Sequence, residues 1–524
     1  MPEYLTPGVY IEEIERGPKP IEGVPTSTSA FLGETERGPI RPRLVTSFTE
    51  YNRWFGNVFK DGRYMPQAVN GFFENGGKRL YVCRIVGEEV TTANKTVGDF
   101  IVSAAGPGAW GNKVWLKFQD GSTIDAEGKS GFRMKVAYWS SFPPGFTPFD
   151  PFLPKNLQRL PRPQYSEDFD DLSVDPNSSN YFTKRLIDSS TNQTVSALVR
   201  LDATNATPGK PPAGPDDGEF LGANGTDDPK VLDAADFQGA KTGGRDQIQG
   251  LNALELDPYR DVALVYAPLP PDNDDLIGKA IIDHCEKMRF RFAAIDGARE
   301  AEPGDLDPRQ KNKWDTSYAA FYAPWIVISD PLSGARRTVP SSGHVLGVYA
   351  RTDTERGVFK APANEIVRGA LDVRFEINDN TQGVLNPRGV NVIRSFPARG
   401  IRVWGARTLS SNGLWKYVSV RRLFIFLEHS IYDGTQWVVF EPNDDRLWAR
   451  VKDTIRLFLR SQWRAGALFG RTEEEAFFIT CDRTTMTQDD ILNGRLICEI
   501  GISPVRPAEF VIFRIFQNTA EAQR

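Results

Sequence analysis

Histidine is the first residue type to test for chemistry, because a neutral imidazole can act as base, proton shuttle or metal ligand. The chain has three: His284, His344 and His429. None stands in His-x-x-x-His or His-Glu-x-x-His spacing, so no pair would face one metal from adjacent turns of a helix. Structural roles are expected for all three. The four cysteines, Cys83, Cys285, Cys481 and Cys498, form no Cys-x-x-Cys; scattered free thiols in a reducing compartment are expected. No Gly-x-Ser-x-Gly occurs to carry a hydrolase nucleophile. Gly106-Pro107-Gly108-Ala109-Trp110-Gly111 matches Gly-x-Gly-x-x-Gly by letter. A dinucleotide site needs a helix to follow, and Asn112-Lys113-Val114-Trp115-Leu116 reads as strand, so a turn is expected. The run from Gly466 to Thr472 is one residue short of a phosphate loop and lacks its lysine. No catalytic, cofactor-binding or metal site is therefore expected, and no cofactor.

The bulk numbers agree with a protein that binds neither polyanions nor lipid. The 524 residues are 40% hydrophobic and 25% charged, with a net charge of −5. Near-balance gives no broad field to attract nucleic acid or anionic membrane. No run reaches the roughly 18 apolar residues needed to span a bilayer, and the N-terminus lacks a secretory pattern. Synthesis in the cytoplasm is the expectation.

The pattern of elements predicts a mixed α/β, multidomain chain. Residues 1–25 read as an extended arm: Val9 to Ile14 is a short run of β-formers and acids between Pro7-Gly8 and Gly17-Pro18. A lone strand stays ordered only if it docks on a sheet. Residues 26–105 read as an α/β unit, with strands at Ala30–Gly33 and Leu80–Val86. A helix at Pro66–Asn75 lies between them, with Ala68, Val69, Phe72 and Phe73 on one face. Residues 106–257 read as a loop-rich inserted surface region, with one strand pair near Lys113–Phe118 and Phe132–Trp139. Seven prolines between Pro143 and Pro163 remove ladder donors.

Residues 258–384 alternate apolar strands with helices, as a parallel sheet requires. Strands are expected at Val262–Ala267, Phe292–Ile295 and Trp325–Ile328. A helix is expected at Asp274–Met288, with Leu276, Ile277, Ala280, Ile281 and His284 inward. Residues 385–524 carry the longest helix signal, Asp444–Arg464. Asn443 or Asp444 would cap it, Gly466 would stop it, and Leu447, Val451, Ile455 and Phe458 form its stripe. Its other faces carry Arg446, Arg450, Lys452, Arg456, Arg460 and Arg464. Ala476–Thr480 and Ala508–Phe516 read as strands. The last is apolar on both faces, which calls for cover on both.

Several strings have a resemblance of their own. They include Pro7 to Ile14, Val24 to Gly33, Phe72 to Gly77, Leu385 to Phe396, Val403 to Ser410, Tyr417 to Ile431, Thr435 to Trp448 and Glu473 to Phe478. In this order they resemble the contractile tail sheath family of phages and phage-tail-like injection machines. The resemblance is dense over residues 1–86 and 361–516 and absent from 140–250. It implies a structural subunit, not an enzyme, in a phage virion tail or a tail-like particle. It implies a central region like a subtilisin fold without the catalytic motifs. Partners implied are further copies in a helical sheath, an inner tube protein, and baseplate and cap proteins.

It also implies strand exchange between subunits through Pro7, Gly8, Val9, Tyr10, Ile11, Glu12 and Ile14 at one end, and Phe510, Val511, Ile512, Phe513 and Ile515 at the other. The six cations on the long helix read either as a solvated basic face or as an electrostatic seat for the tube. A minor sheath paralogue near the baseplate is the nearer alternative. A cytosolic α/β hydrolase is the alternative from another class.

Overall fold

The computed structural model describes residues 20–57, 63–124, 130–240, 248–268 and 274–514. The chain forms two compact units, one of residues 25–421 and one of residues 422–524 with the first 24.

The larger unit is built on a nine-stranded sheet. Six of its strands run parallel, in the order Val390–Phe396, Ala319–Ala323, Phe292–Asp296, Leu264–Tyr266, Ser29–Gly33 and Leu80–Arg84. Arg43–Val45 closes one edge antiparallel; Gly400–Trp404 and Glu365–Ile366 close the other. Strands buried on both faces need apolar residues at every position, and Ser29–Gly33 and Leu80–Arg84 are buried throughout. Ala30, Leu32, Cys83 and Val265 share a core with Ile277, Ala280, Ile281 and Cys285 of the Asp274–Met288 helix. The alternate residues face other helices: Phe31 meets Phe72 at 5.4 Å, and the Tyr322 and Tyr349 hydroxyls meet at 2.5 Å. The result is helix, sheet, helix.

On that second face the helices Met65–Glu74 and Ser342–Arg356 pack closely through small residues. A Cβ at Gly71 would stand 2.3 Å from the His344 ring, and one at Gly347 would stand 2.4 Å from the Phe72 carbonyl oxygen. Asp296, at the end of its strand, accepts from the backbone N–H groups of Ser341 (3.0 Å) and Ser342 (2.8 Å) and from the Tyr266 hydroxyl (2.7 Å). That satisfies donors left open at the start of the second helix.

Three expectations are corrected here. Leu276 is 74% exposed, so the inward face of its helix is Ile277, Ala280, Ile281 and His284 without it. The strand expected at Trp325–Ile328 is Ile326–Ser329, and it belongs to a separate antiparallel sheet with Arg336–Val339 and Ala370–Val373. The parallel-sheet place is taken by Ala319–Ala323; Pro324, which has no N–H to donate, separates the two runs.

The third correction is that the inserted segment has a core of its own. Val114–Ile124 and Ser130–Tyr138 pair as expected and gain Tyr165–Leu172 and Glu219–Phe220. A three-stranded sheet of Val199–Ala203, Phe100–Ala104 and Asn94–Val97 joins them around Phe100, Val102, Leu116, Phe132, Met134 and Leu201. Even the proline-rich stretch is anchored. Phe149 packs on Trp139, and buried Asp150 pairs with Lys117 (3.0 Å) and Lys135 (3.4 Å). Entry and exit meet as a stalk. Thr91 and Thr226 bridge antiparallel, with their hydroxyls 2.8 Å apart, and the Glu89 N–H donates to Asp228 at 3.2 Å.

In the smaller unit the Asp445–Arg464 helix is capped by Asp444, which accepts from the Leu447 N–H at 2.8 Å. Leu447, Val451, Ile455 and Phe458 are buried as expected, with Trp448 and Leu459 beside them. Gly466 follows at φ 87°. Phe477–Thr480 pairs with Glu499–Ile502 in a two-stranded sheet. Ile21, Gly23 and Val24 run along the Val418–Gly434 helix, where the Val24 N–H donates to Ser430 Oγ at 3.1 Å.

Candidate assembly interface

The histidine and cysteine side chains of the larger unit are locked into the fold. Arg291, almost fully buried, donates to the carbonyls of Leu254 (2.7 Å), Tyr259 (2.9 Å) and Val262 (3.3 Å) and to His284 Nε2 (2.6 Å). Burial, and then the Arg291 charge, push the His284 imidazole down to about 3, so it is neutral. A cavity of about 150 Å³ beside it is lined by Glu255, Asp283 and Lys287 among others. Burial alone lowers His344 to about 4. The Cys83 thiol is pushed well up by burial, and Cys285 to about 12, which leaves both inert. Among the described residues no group of His, Cys, Asp and Glu is placed to hold a metal ion, and no helix is long and apolar enough to cross a membrane.

The C-terminal tail corrects one element. Residues 508–514 form no strand, because no partner within the described chain offers a ladder. Phe510, Val511, Ile512 and Phe513 are 71%, 67%, 77% and 85% exposed. Four consecutive apolar residues in water are a cost that a free surface does not normally carry. The sheet of Phe477–Thr480 and Glu499–Ile502 has no third strand among the described residues, and Phe478 and Ile500 are exposed on it. Pro7, Gly8, Val9, Tyr10, Ile11, Glu12, Ile14 and Ile515 lie outside the described residues.

The six cations do share one helix, with different surroundings. Arg456 and Arg460 both donate to Glu473, Arg460 at 2.7 Å. Hydrogen bonds from Arg460 and Arg456 hold the Glu473 carboxyl below its usual range. Arg450 lies 4.6 Å over the Trp437 ring and 3.9 Å from Glu441. Lys452 is half-buried, whereas Arg446 and Arg464 are exposed and make no ion pair among the described residues. Sequence reasoning noted Glu473 only as part of a string; its pairing spans 13 and 17 positions, beyond any helical spacing. It also treated Cys481 and Cys498 as unrelated. The hairpin sets them opposite each other, one step beyond the Thr480–Glu499 pair.

An α/β body with its titratable groups locked, joined to a unit with an open hairpin and an uncovered apolar tail, has the surface of an assembly subunit. The comparisons define which. The phage tail sheath protein central domain matches residues 240–409, and the phage tail sheath C-terminal domain matches residues 410–518. A prophage major tail sheath protein of Pseudomonas aeruginosa is 24% identical over 289 residues, 54% of this chain and 71% of that protein. The tail sheath protein of Salmonella phage ViI is 25% identical over 252 residues, 43% of this chain and 39% of that one. The sheath complex of an extracellular contractile injection system, PVC, in its contracted state, superposes with TM-score 0.57 at 23% identity, covering 100% of both chains. This chain belongs to the phage tail sheath family and is a structural sheath subunit.

Proposed function

We propose that the chain is the major sheath subunit, that it polymerises as a helical sheath around an inner tube, and that it works without catalysis. Assembly begins in the cytoplasm. The extended sheath is metastable, and a signal from the baseplate lets subunits reorient nearly as rigid bodies and drive the tube forward. Many copies multiply a small energy difference per subunit.

The observation that carries this reading is the uncovered run Phe510–Phe513 in the unit that also holds the open two-stranded sheet. A strand of a neighbour, laid on that sheet, satisfies free ladder groups and covers apolar surface. Each backbone hydrogen bond nets roughly 0.5–1.5 kcal/mol, so an addition of four to six bonds is worth several kcal/mol. Such a contact is heterologous and propagates. The exchanged segments are Pro7 to Ile14 and Phe510 to Ile515. Removing both ends, residues 1–16 and 507–524, abolishes the striated cylinders seen by negative-stain microscopy and leaves the melting transition of the body in place. Normal cylinders from the trimmed protein would refute the reading.

The helix cations seat the tube through ion pairs worth about 0–1 kcal/mol each, weak enough to break on firing. Arg456 and Arg460 also hold Glu473, so their reversal disturbs the subunit as well. Arg446→Glu with Arg464→Glu is the cleaner test. It is expected to lower co-sedimentation with the tube protein and to leave sheath polymerisation unchanged. Undiminished co-sedimentation would remove this role.

A further inference from the structure

Cys481 immediately follows the strand Phe477–Thr480 and Cys498 immediately precedes its partner Glu499–Ile502, so both stand at the same end of the ladder. The ladder runs Phe477–Ile502, Phe478–Gly501, Ile479–Ile500, Thr480–Glu499; the next opposed pair is the two cysteines. Directly opposed residues of an antiparallel pair have Cα atoms about 4.5 or 5.5 Å apart, inside the roughly 4.4–6.8 Å span that a disulfide bridges. Their side chains are already in hydrogen-bond contact. We propose that these two thiols are a redox pair that closes into a cross-strand disulfide, with a small-molecule disulfide such as oxidised glutathione as the oxidant.

The two sulfurs have different surroundings. Cys498 is half-exposed, whereas Cys481 is buried. The hydrogen bond from Cys498, helped by the Lys452 charge, lowers the Cys481 thiol, while the same contact raises Cys498. Exposure, not acidity, divides the roles. Cys498, the accessible sulfur, passes its proton across the shared hydrogen bond to Cys481 and attacks one sulfur of glutathione disulfide as the thiolate; a mixed disulfide forms and one glutathione thiolate leaves. The Cys481 thiolate then attacks the Cys498 sulfur, the protein disulfide forms, and the second glutathione thiolate leaves. Two protein thiols are oxidised, one glutathione disulfide is reduced to two thiols, and the protons go to solvent. Cys83 and Cys285, buried and raised, take no part.

The bond would close the 482–497 loop and fix the root of the segment that leads into the exposed tail. It does not depend on whether that tail is exchanged between subunits. In a reducing cytoplasm the pair stays open; in an oxidising medium it closes.

The test is peptide mapping of the full-length chain held in oxidised glutathione, then trapped with N-ethylmaleimide and digested with trypsin without reduction. The cysteines fall in different tryptic peptides, 472–483 and 496–514, because the bond before Pro507 resists trypsin. The expected result is a linked peptide pair and the joint loss of both alkylated peptides, reversed by dithiothreitol. Cys83 and Cys285 remain alkylatable after unfolding. Cys481→Ser is expected to retain an unresolved glutathione adduct on Cys498. Full recovery of both wild-type peptides in separate, alkylated form would overturn the proposal. So would a wild-type chain that stops at the Cys498 adduct.

Discussion

Arg291 and His284 are a buried pair of which only one member carries charge. His284 is held at about 3 and His344 at about 4, against about 6.5 in an unfolded chain. The unfolded state therefore binds the extra protons. The stability these groups protect is complete above about pH 6.5 and is lost as pH falls towards their folded values; each unit of lowering is worth about 1.4 kcal/mol. Glu255, 3.9 Å from His284 Nδ1, opposes part of this, although it is itself paired with Lys287. The melting temperature is expected to drop between about pH 6.5 and 4. His284→Gln keeps an acceptor for Arg291 and is expected to flatten the slope. Melting curves across that range check it, and an unchanged slope in the variant counts against His284 as a source.

At the scale of the element, the long basic helix shows what a sequence does and does not reveal. Its cap at Asp444, its apolar stripe and its stop at Gly466 were legible because each is a local rule. Asp444→Ala is expected to cost about 0.5–2 kcal/mol and Leu459→Ala about 2–5 kcal/mol, both read by denaturant unfolding. The parallel strands are legible as apolar runs, yet the more β-branched Ile326–Ile328 gives a stronger strand signal than Ala319–Ala323 beside it. Length and propensity could not say which run enters the sheet; the strand register decides that. Leu276 looked inward because two neighbouring apolar residues, Leu276 and Ile277, compete for one face, and Ile277 won it. Composition alone predicts a covered strand for the tail. The apolar pattern was right about the need for cover, but the cover is not supplied within the described chain. The ion pairs of Glu473 were beyond reach for another reason: only the packed fold brings it to Arg456 and Arg460.

At the scale of the whole molecule, the inserted β-segment is set apart by its own core and by its stalk. It also leans on the rest of its unit. Arg37, whose guanidinium binds the carbonyls of Asn52, Arg53 and Trp54, lies 5.3 Å from the Tyr138 ring and 5.4 Å from Tyr165. Replacing residues 91–226 with a short Gly-Ser linker is expected to leave a cooperatively folded protein with a lowered melting temperature, because Arg37 loses that cover. Scanning calorimetry of the shortened chain checks it; loss of the transition would mean that the nine-stranded sheet needs the insertion to fold. The pairing of Thr91 with Thr226 has a practical side as well. Two chain crossings held side by side make a socket, and a foreign domain whose own termini are adjacent can be grafted there without stretching its host. Any such graft would be repeated at every subunit position, turning one fusion gene into a densely decorated cylinder.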